Sequence, residues 1–152
     1  MKVKNVNSRD LEQIMILEKE VFRENAFSKH LMGELIHRNT LFLKLANGKN
    51  KNELIGFIIL IKDRKDRINI INFLINPRFQ NKGYGALLLE NTLQKITQLK
   101  EIKKVVLNVQ VSNSQAIKLY EKFNFRKNPK KIENYYQSGE SAYLMELFID
   151  SL

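Results

Sequence analysis

The apolar pattern of this chain switches from helical to strand spacing over residues 41–75, and that change constrains the fold more than any other feature. Residues 41–46 (LFLKLA), 54–61 (LIGFIILI) and 68–75 (INIINFLI) are short apolar runs rich in β-branched and aromatic residues, the pattern of buried strands. Polar turns around Gly48 and from Asp63 to Asp66 separate them, so they are expected to fold back on one another as an antiparallel meander. On either side the spacing is helical. Met1 to Val6 alternates as a short first strand, after which Asn7 and Ser8 offer side-chain oxygens to a helix start. Leu11, Ile14, Leu17 and Val21 then form one stripe, and a second short helix is expected from Ser28 to about His37 with Leu31, Leu35 and Ile36 inward.

After Pro77, Leu89, Leu93, Ile96 and Leu99 predict a helix from Gly85 to Leu99. VVLNVQV (105–111) predicts a strand, Ser114 to Phe123 a helix capped by Asn113, and AYLMELFI (142–149) a last strand, with room for a further short strand near Phe125. The order βααβββαβαβ, with that extra β, implies an α/β (α+β) fold, one central mixed and mostly antiparallel sheet flanked by helices. Without a linker, repeat or low-complexity tract, residues 1–152 are expected to form a single domain.

The absence of cysteine excludes disulfides, thiolate metal sites and a cysteine nucleophile. His30 and His37 lack the closer helical spacing of zinc ligands, so no metal is expected and both read as surface residues. The longest apolar run, 55–61, is far too short to cross a bilayer, and the first ten residues lack the apolar stretch of a signal peptide. A cytoplasmic protein without a membrane partner is expected. The net charge of +10 suits a basic surface for nucleic acid, ribosomes or a polyphosphate ligand. Its clusters at 48–52, 62–67 and 126–131 fall where turns are expected, and no aromatic residues interleave them, so nucleic acid is not expected as the main ligand.

Residues 76–89, NPRFQNKGYGALLL, lead from a strand through a loop into a helix beginning near Gly83. Unsatisfied N–H groups and the helix dipole make such a start an anion site; Gly83 and Gly85 leave room for a phosphate, and Lys82 adds charge. A dinucleotide fingerprint would need glycine at Leu88, and no P-loop motif occurs. Taken alone, the glycine pair reads more readily as a plain turn than as a ligand site.

The wider spacing changes that balance. Gln80-Asn81-Lys82-Gly83-Tyr84-Gly85 resembles the acetyl-CoA motif of the GNAT superfamily of N-acetyltransferases, and LNVQVSNSQAIKLY (107–120) resembles its second signature. NFLINP (72–77) and NYY (134–136) add a likeness to the RimI-like N-terminal acetyltransferases. The resemblance implies acetyl-CoA as donor and transfer to a free amine by direct attack in a ternary complex. The acceptor it implies is a protein or peptide N-terminus, a ribosomal protein among the candidates. A small-molecule amine or a lysine side chain is an alternative acceptor, and a non-catalytic acyl-CoA-binding or basic interaction module a third reading. It also implies that Phe73, Leu74 and Ile75 align the pantetheine arm while Asn81, Lys82, Gly83, Tyr84, Gly85 and Ala86 wrap the pyrophosphate. Asn113 would contact the pantetheine as well as cap its helix, and Tyr120 would protonate the departing thiolate, although its spacing from Phe123 also suits a core aromatic. Phe27 and Tyr135 would line the acceptor pocket, with Tyr136 beside them.

One position departs from the family. Asn108 stands where RimI-like enzymes usually have a glutamate that takes the amine's proton, and an amide can orient a water but cannot accept that proton. An α-amine with a pKa of ~7.7–8.0 loses only about 1–1.4 kcal/mol by reacting through its neutral fraction at pH 7, whereas a lysine amine near ~10.4 loses about 4.6. Asn108 therefore favours an α-amino acceptor. A carboxylate on the first helix, Glu18 or Glu20, is a candidate to relay the proton in its place, against the more common reading of such helix charges as simply solvated.

Overall fold

A computed structural model describes residues 1–50 and 53–151, which leaves the end of the basic cluster at 48–52 outside the description. The chain runs β1 (Lys2–Asn5), α1 (Leu11–Phe22), α2 (Lys29–His37), β2 (Leu41–Ala46), β3 (Leu54–Arg64), β4 (Arg67–Ile75), α3 (Tyr84–Thr97), β5 (Lys104–Gln110), α4 (Ser114–Lys122), β6 (Arg126–Lys127) and β7 (Ala142–Phe148). The seven strands form one sheet in the order β1-β2-β3-β4-β5-β7-β6. Every neighbouring pair is antiparallel except β4 and β5, which run parallel because α3 carries the chain back across the sheet. The expected α/β order and the meander are borne out.

Helices cover both faces. Leu88, Leu89, Leu93 and Ile96 of α3 and Ile117 and Tyr120 of α4 pack with Ile58, Leu60, Leu107 and Met145 on one face. Ile14 and Leu17 of α1 and Met32 and Leu35 of α2 pack with Phe42, Phe57, Ile59 and Leu74 on the other. β3 is buried on both sides from Leu54 to Leu60, which explains its unbroken apolar run.

Several sequence expectations need correction. Leu31 is exposed, and Met32 takes the inward place because it shares a face with Leu35. The turn expected over Asp63 to Asp66 shrinks to residues 65–66: both strands extend, braced by an Arg67–Asp63 ion pair of 2.9 Å. Arg126 and Lys127 of the third basic cluster form β6 rather than a turn. Leu99 lies beyond the end of α3 and is exposed. Glu18, expected at the surface, is completely buried, while His30 and His37 are exposed as expected.

Candidate active site

The site begins with a break in register. Ile59 of β3 pairs with Asn72 while the next residue, Leu60, pairs with Ile70, so Ile71 is an extra residue, a bulge in β4. The bulge reverses the alternation of β4: Ile68 and Ile70 belong to the α3–α4 side, and beyond the bulge Phe73 and Ile75 take that side. β4 and β5 pair from Arg67↔Lys104 to Ile70↔Leu107, and pairing stops there although the strands continue to Ile75 and Gln110. Two parallel strands that part in this way leave a cleft between them.

A cavity of about 420 Å³ occupies that cleft. Phe73, Leu74 and Ile75 form its β4 wall, and Asn113, Ala116, Leu119 and Tyr120 its α4 wall. Asn81, Gly83, Tyr84, Gly85 and Ala86 close the end at α3. Lys82, expected among them, is not part of the wall; its ammonium stands 5.7 Å from the centre of the Phe79 ring. Lys118 and Lys122 of α4 do line the cavity, and sequence reading passed over them because surface lysines are common. Their four-residue spacing, which puts both on one helical face with Ser114, was the available signal.

The start of α3 is built for an anion. Ser28 and Asn113 accept backbone N–H bonds at the starts of α2 and α4, whereas α3 has no side-chain cap, leaving its first N–H groups to a ligand. Gly83, the capping residue, has φ +84° and open space where a side chain would be. Gly85, in the cavity wall, also seats α3 against α4 and β4: a Cβ there would lie 3.3 Å from Leu119 Cδ2 and 3.6 Å from Ile75 Cγ1. These groups fit a pyrophosphate.

A second cavity of about 100 Å³ lies on the α1–α2 side, and Phe22, Phe73, Asn113, Ala116 and Tyr120 line both cavities. Tyr120 therefore stands where they adjoin, packed between Phe73 at 6.2 Å and Phe125 at 5.6 Å. Burial pushes its phenol well above the ordinary value, with a smaller contribution from Tyr136, so the hydroxyl keeps its proton at physiological pH. The smaller cavity is also lined by Phe27, Asn108, Asn72, Glu18 and Tyr136. Tyr135 is not in this wall; it is half exposed, and its hydroxyl accepts a 3.0 Å hydrogen bond from Asn108 Nδ2. Asn25 and Ser138 exchange two hydrogen bonds, 3.2 and 3.1 Å, fastening the loop after α1 to the loop before β7.

Glu18, a candidate proton relay that the sequence placed more readily in solvent, lies in the wall of the smaller cavity. Its Oε1 accepts from Asn72 Nδ2 at 2.7 Å and its Oε2 from the Phe27 backbone N–H at 2.8 Å. Burial raises its carboxyl above the usual range, against the opposing effect of those two donors. The signal was its position: Glu18 falls three and four residues from Met15 and Ile14 and from Val21 and Phe22, in the middle of the apolar stripe. Among the described residues no cluster of three or more potential ligands could hold a metal ion.

A parted parallel strand pair, an uncapped helix start and a buried phenol between two cavities define a transferase that admits an anionic donor from one side and an acceptor from the other. The Acetyltransferase (GNAT) family profile matches residues 9–125, and the chain belongs to that family. It is 40% identical over 77 residues to an N-alpha-acetyltransferase of Sulfolobus acidocaldarius, an alignment spanning 51% of this chain and 45% of that one. It is 26% identical over 163 aligned positions to an N-alpha-acetyltransferase of Sulfurisphaera tokodaii, spanning 95% of this chain and 90% of the relative. The crystal structure of Ard1 from Thermoplasma volcanium superposes with a TM-score of 0.86 at 23% identity, covering 97% and 96% of the two chains.

Proposed function

We propose that this protein transfers the acetyl group of acetyl-CoA to the α-amine of a protein or peptide N-terminus, in the cytoplasm, through a single domain. The observation that carries the reading is the meeting of the two cavities at Tyr120. The pyrophosphate of the donor sits on the α3 N-terminus over Gly83, with Asn81, Tyr84 and Ala86 around it, and Lys118 and Lys122 supply positive charge along the α4 wall. The pantetheine arm extends along Phe73, Leu74 and Ile75, past Asn113, toward Tyr120. The acceptor enters on the α1–α2 side, between Phe27 and Tyr136. Its neutral nitrogen attacks the thioester carbonyl carbon, the carbon–sulfur bond breaks, the Tyr120 hydroxyl gives its proton to the thiolate, and the proton that the nitrogen sheds on becoming an amide restores the phenol. The phenol carries its proton at physiological pH, which is the form that can donate to the thiolate. The N-alpha-acetyltransferase names of the two relatives support an α-amino acceptor, and the absence of a membrane-spanning helix among the described residues is compatible with the cytoplasm.

Thiol release from acetyl-CoA, measured with a panel of free-N-terminal peptides, tests this reading. Tyr120→Phe is expected to lower kcat by more than about tenfold, at the low end of general-acid effects, with acetyl-CoA affinity retained. An unchanged kcat would reduce Tyr120 to a core aromatic and leave the thiolate without its acid.

A further inference from the structure

The smaller cavity contains a charge without a counter-charge. Glu18 is fully buried, yet among the described residues it makes no ion pair, and no lysine, arginine or histidine lines the cavity. Its two hydrogen-bond donors, the Asn72 amide and the Phe27 backbone, are neutral. A buried carboxylate is costly unless a cation joins it. The cavity is also short of donors: Asn72 Oδ1 and Asn108 Oδ1 are buried without a hydrogen-bond partner, and both side chains border the same space. The orientation of Asn72 is fixed, because its Nδ2 is the atom that faces the carboxylate.

We infer that Glu18 is the binding partner of the acceptor's ammonium group, with the amide oxygens of Asn72 and Asn108 beside it. The assignment rests on the acetyltransferase reading and deepens it: the acceptor arrives as a cation. A primary ammonium brings one positive charge and three N–H donors to a site that holds one carboxylate and two unpartnered oxygens. The same pair then readies the amine for attack. In a dry cavity an ammonium beside a carboxylate passes a proton to it and both become neutral, so that R–NH3+ and Glu18–COO− give R–NH2 and Glu18–COOH. The freed lone pair forms the new nitrogen–carbon bond, and Glu18 afterwards releases the proton to water. Over the whole reaction, ammonium and thioester give amide, thiol and one proton. The other titratable groups facing this space are the phenols of Tyr120 and Tyr136, with Tyr135 reaching it through Asn108, and none is a cation. The carboxylate that the β5 strand lacks at Asn108 is thus supplied from α1.

The test uses whichever peptide of the panel is acetylated fastest and its desamino counterpart, in which hydrogen replaces the α-ammonium. With CoA bound, the wild-type protein is expected to bind the free-amine peptide at least tenfold more tightly than the desamino peptide. In Glu18→Gln, KM for the amine is expected to rise at least tenfold and the preference over the desamino peptide to vanish, with CoA affinity unchanged. Equal binding of the two peptides to wild type overturns the assignment even if the variant fails to fold. An unchanged KM in a folded variant overturns it as well, while leaving the acetyltransferase reading intact. A panel in which no amine is acetylated removes both.

Discussion

At the scale of single residues, Glu18 is expected to help catalysis at the expense of the fold. Its carboxyl is raised by burial above the value near ~4.3 that it has in the unfolded chain. The folded state therefore holds this proton more tightly than the unfolded state does. The resulting stabilisation is complete below the unfolded value and is lost as pH rises through the folded one, so at pH 7 the ionised carboxylate weakens the fold. Glu18→Gln keeps the shape and can still accept from the Phe27 N–H, while Asn72 turns its amide to present oxygen to the new NH2 group. The variant is expected to melt at a higher temperature than wild type at pH 7, with the difference closing as pH falls toward 4. A lower melting temperature at pH 7 would make Glu18 a net structural asset and contradict the burial argument.

At the scale of elements, the site depends on where β4 leaves β5, and Gly56 of β3 holds that geometry from behind. A Cβ at Gly56 would lie 2.6 Å from the carbonyl oxygen of Leu74 and 2.6 Å from Ile75 Cδ1, on the stretch of β4 that walls the larger cavity. A backbone oxygen in a central strand cannot step aside. Gly56→Ala is expected to cost about 1–3 kcal/mol in denaturant unfolding, the usual range for overpacking, and to weaken acetyl-CoA binding by shifting residues 74–75. Full stability would show that β4 yields without loss. The elements themselves were legible in the sequence, because the period change around 41–75 and the capping oxygen of Asn113 are local signals. The bulge at Ile71 was not, since it is defined only by the partner strand: Asn72 and Leu74 change faces relative to Ile70 with no mark in composition. Glu18 was misread for a related reason, since charge implies solvent until the helix face is known. Leu31 and Met32 exchanged places because a short helix offers too few turns to fix its phase.

At the scale of the whole molecule, the proposed function has donor and acceptor enter through two adjoining cavities that meet at Tyr120, where β4 parts from β5. The α3–α4 side offers uncapped N–H groups and two lysines to a polyanion, and the α1–α2 side offers an unpaired carboxylate to a cation. The glycine loop and the tyrosines at 135 and 136 were legible from motif spacing, whereas the burial of Glu18 and its contact with Asn72 became legible only once the fold brought α1 and β4 together. The net charge of +10 is not what marks the smaller cavity; Glu18, buried and without an ion pair among the described residues, is. The central claim is tested most directly by thiol release from acetyl-CoA with matched peptides, one with a free α-amine and the other Nα-blocked but carrying a lysine, with a polyamine alongside. The account predicts release with the free α-amine and little or none with the blocked lysine peptide or the polyamine. Release that follows the lysine or the polyamine instead would contradict it.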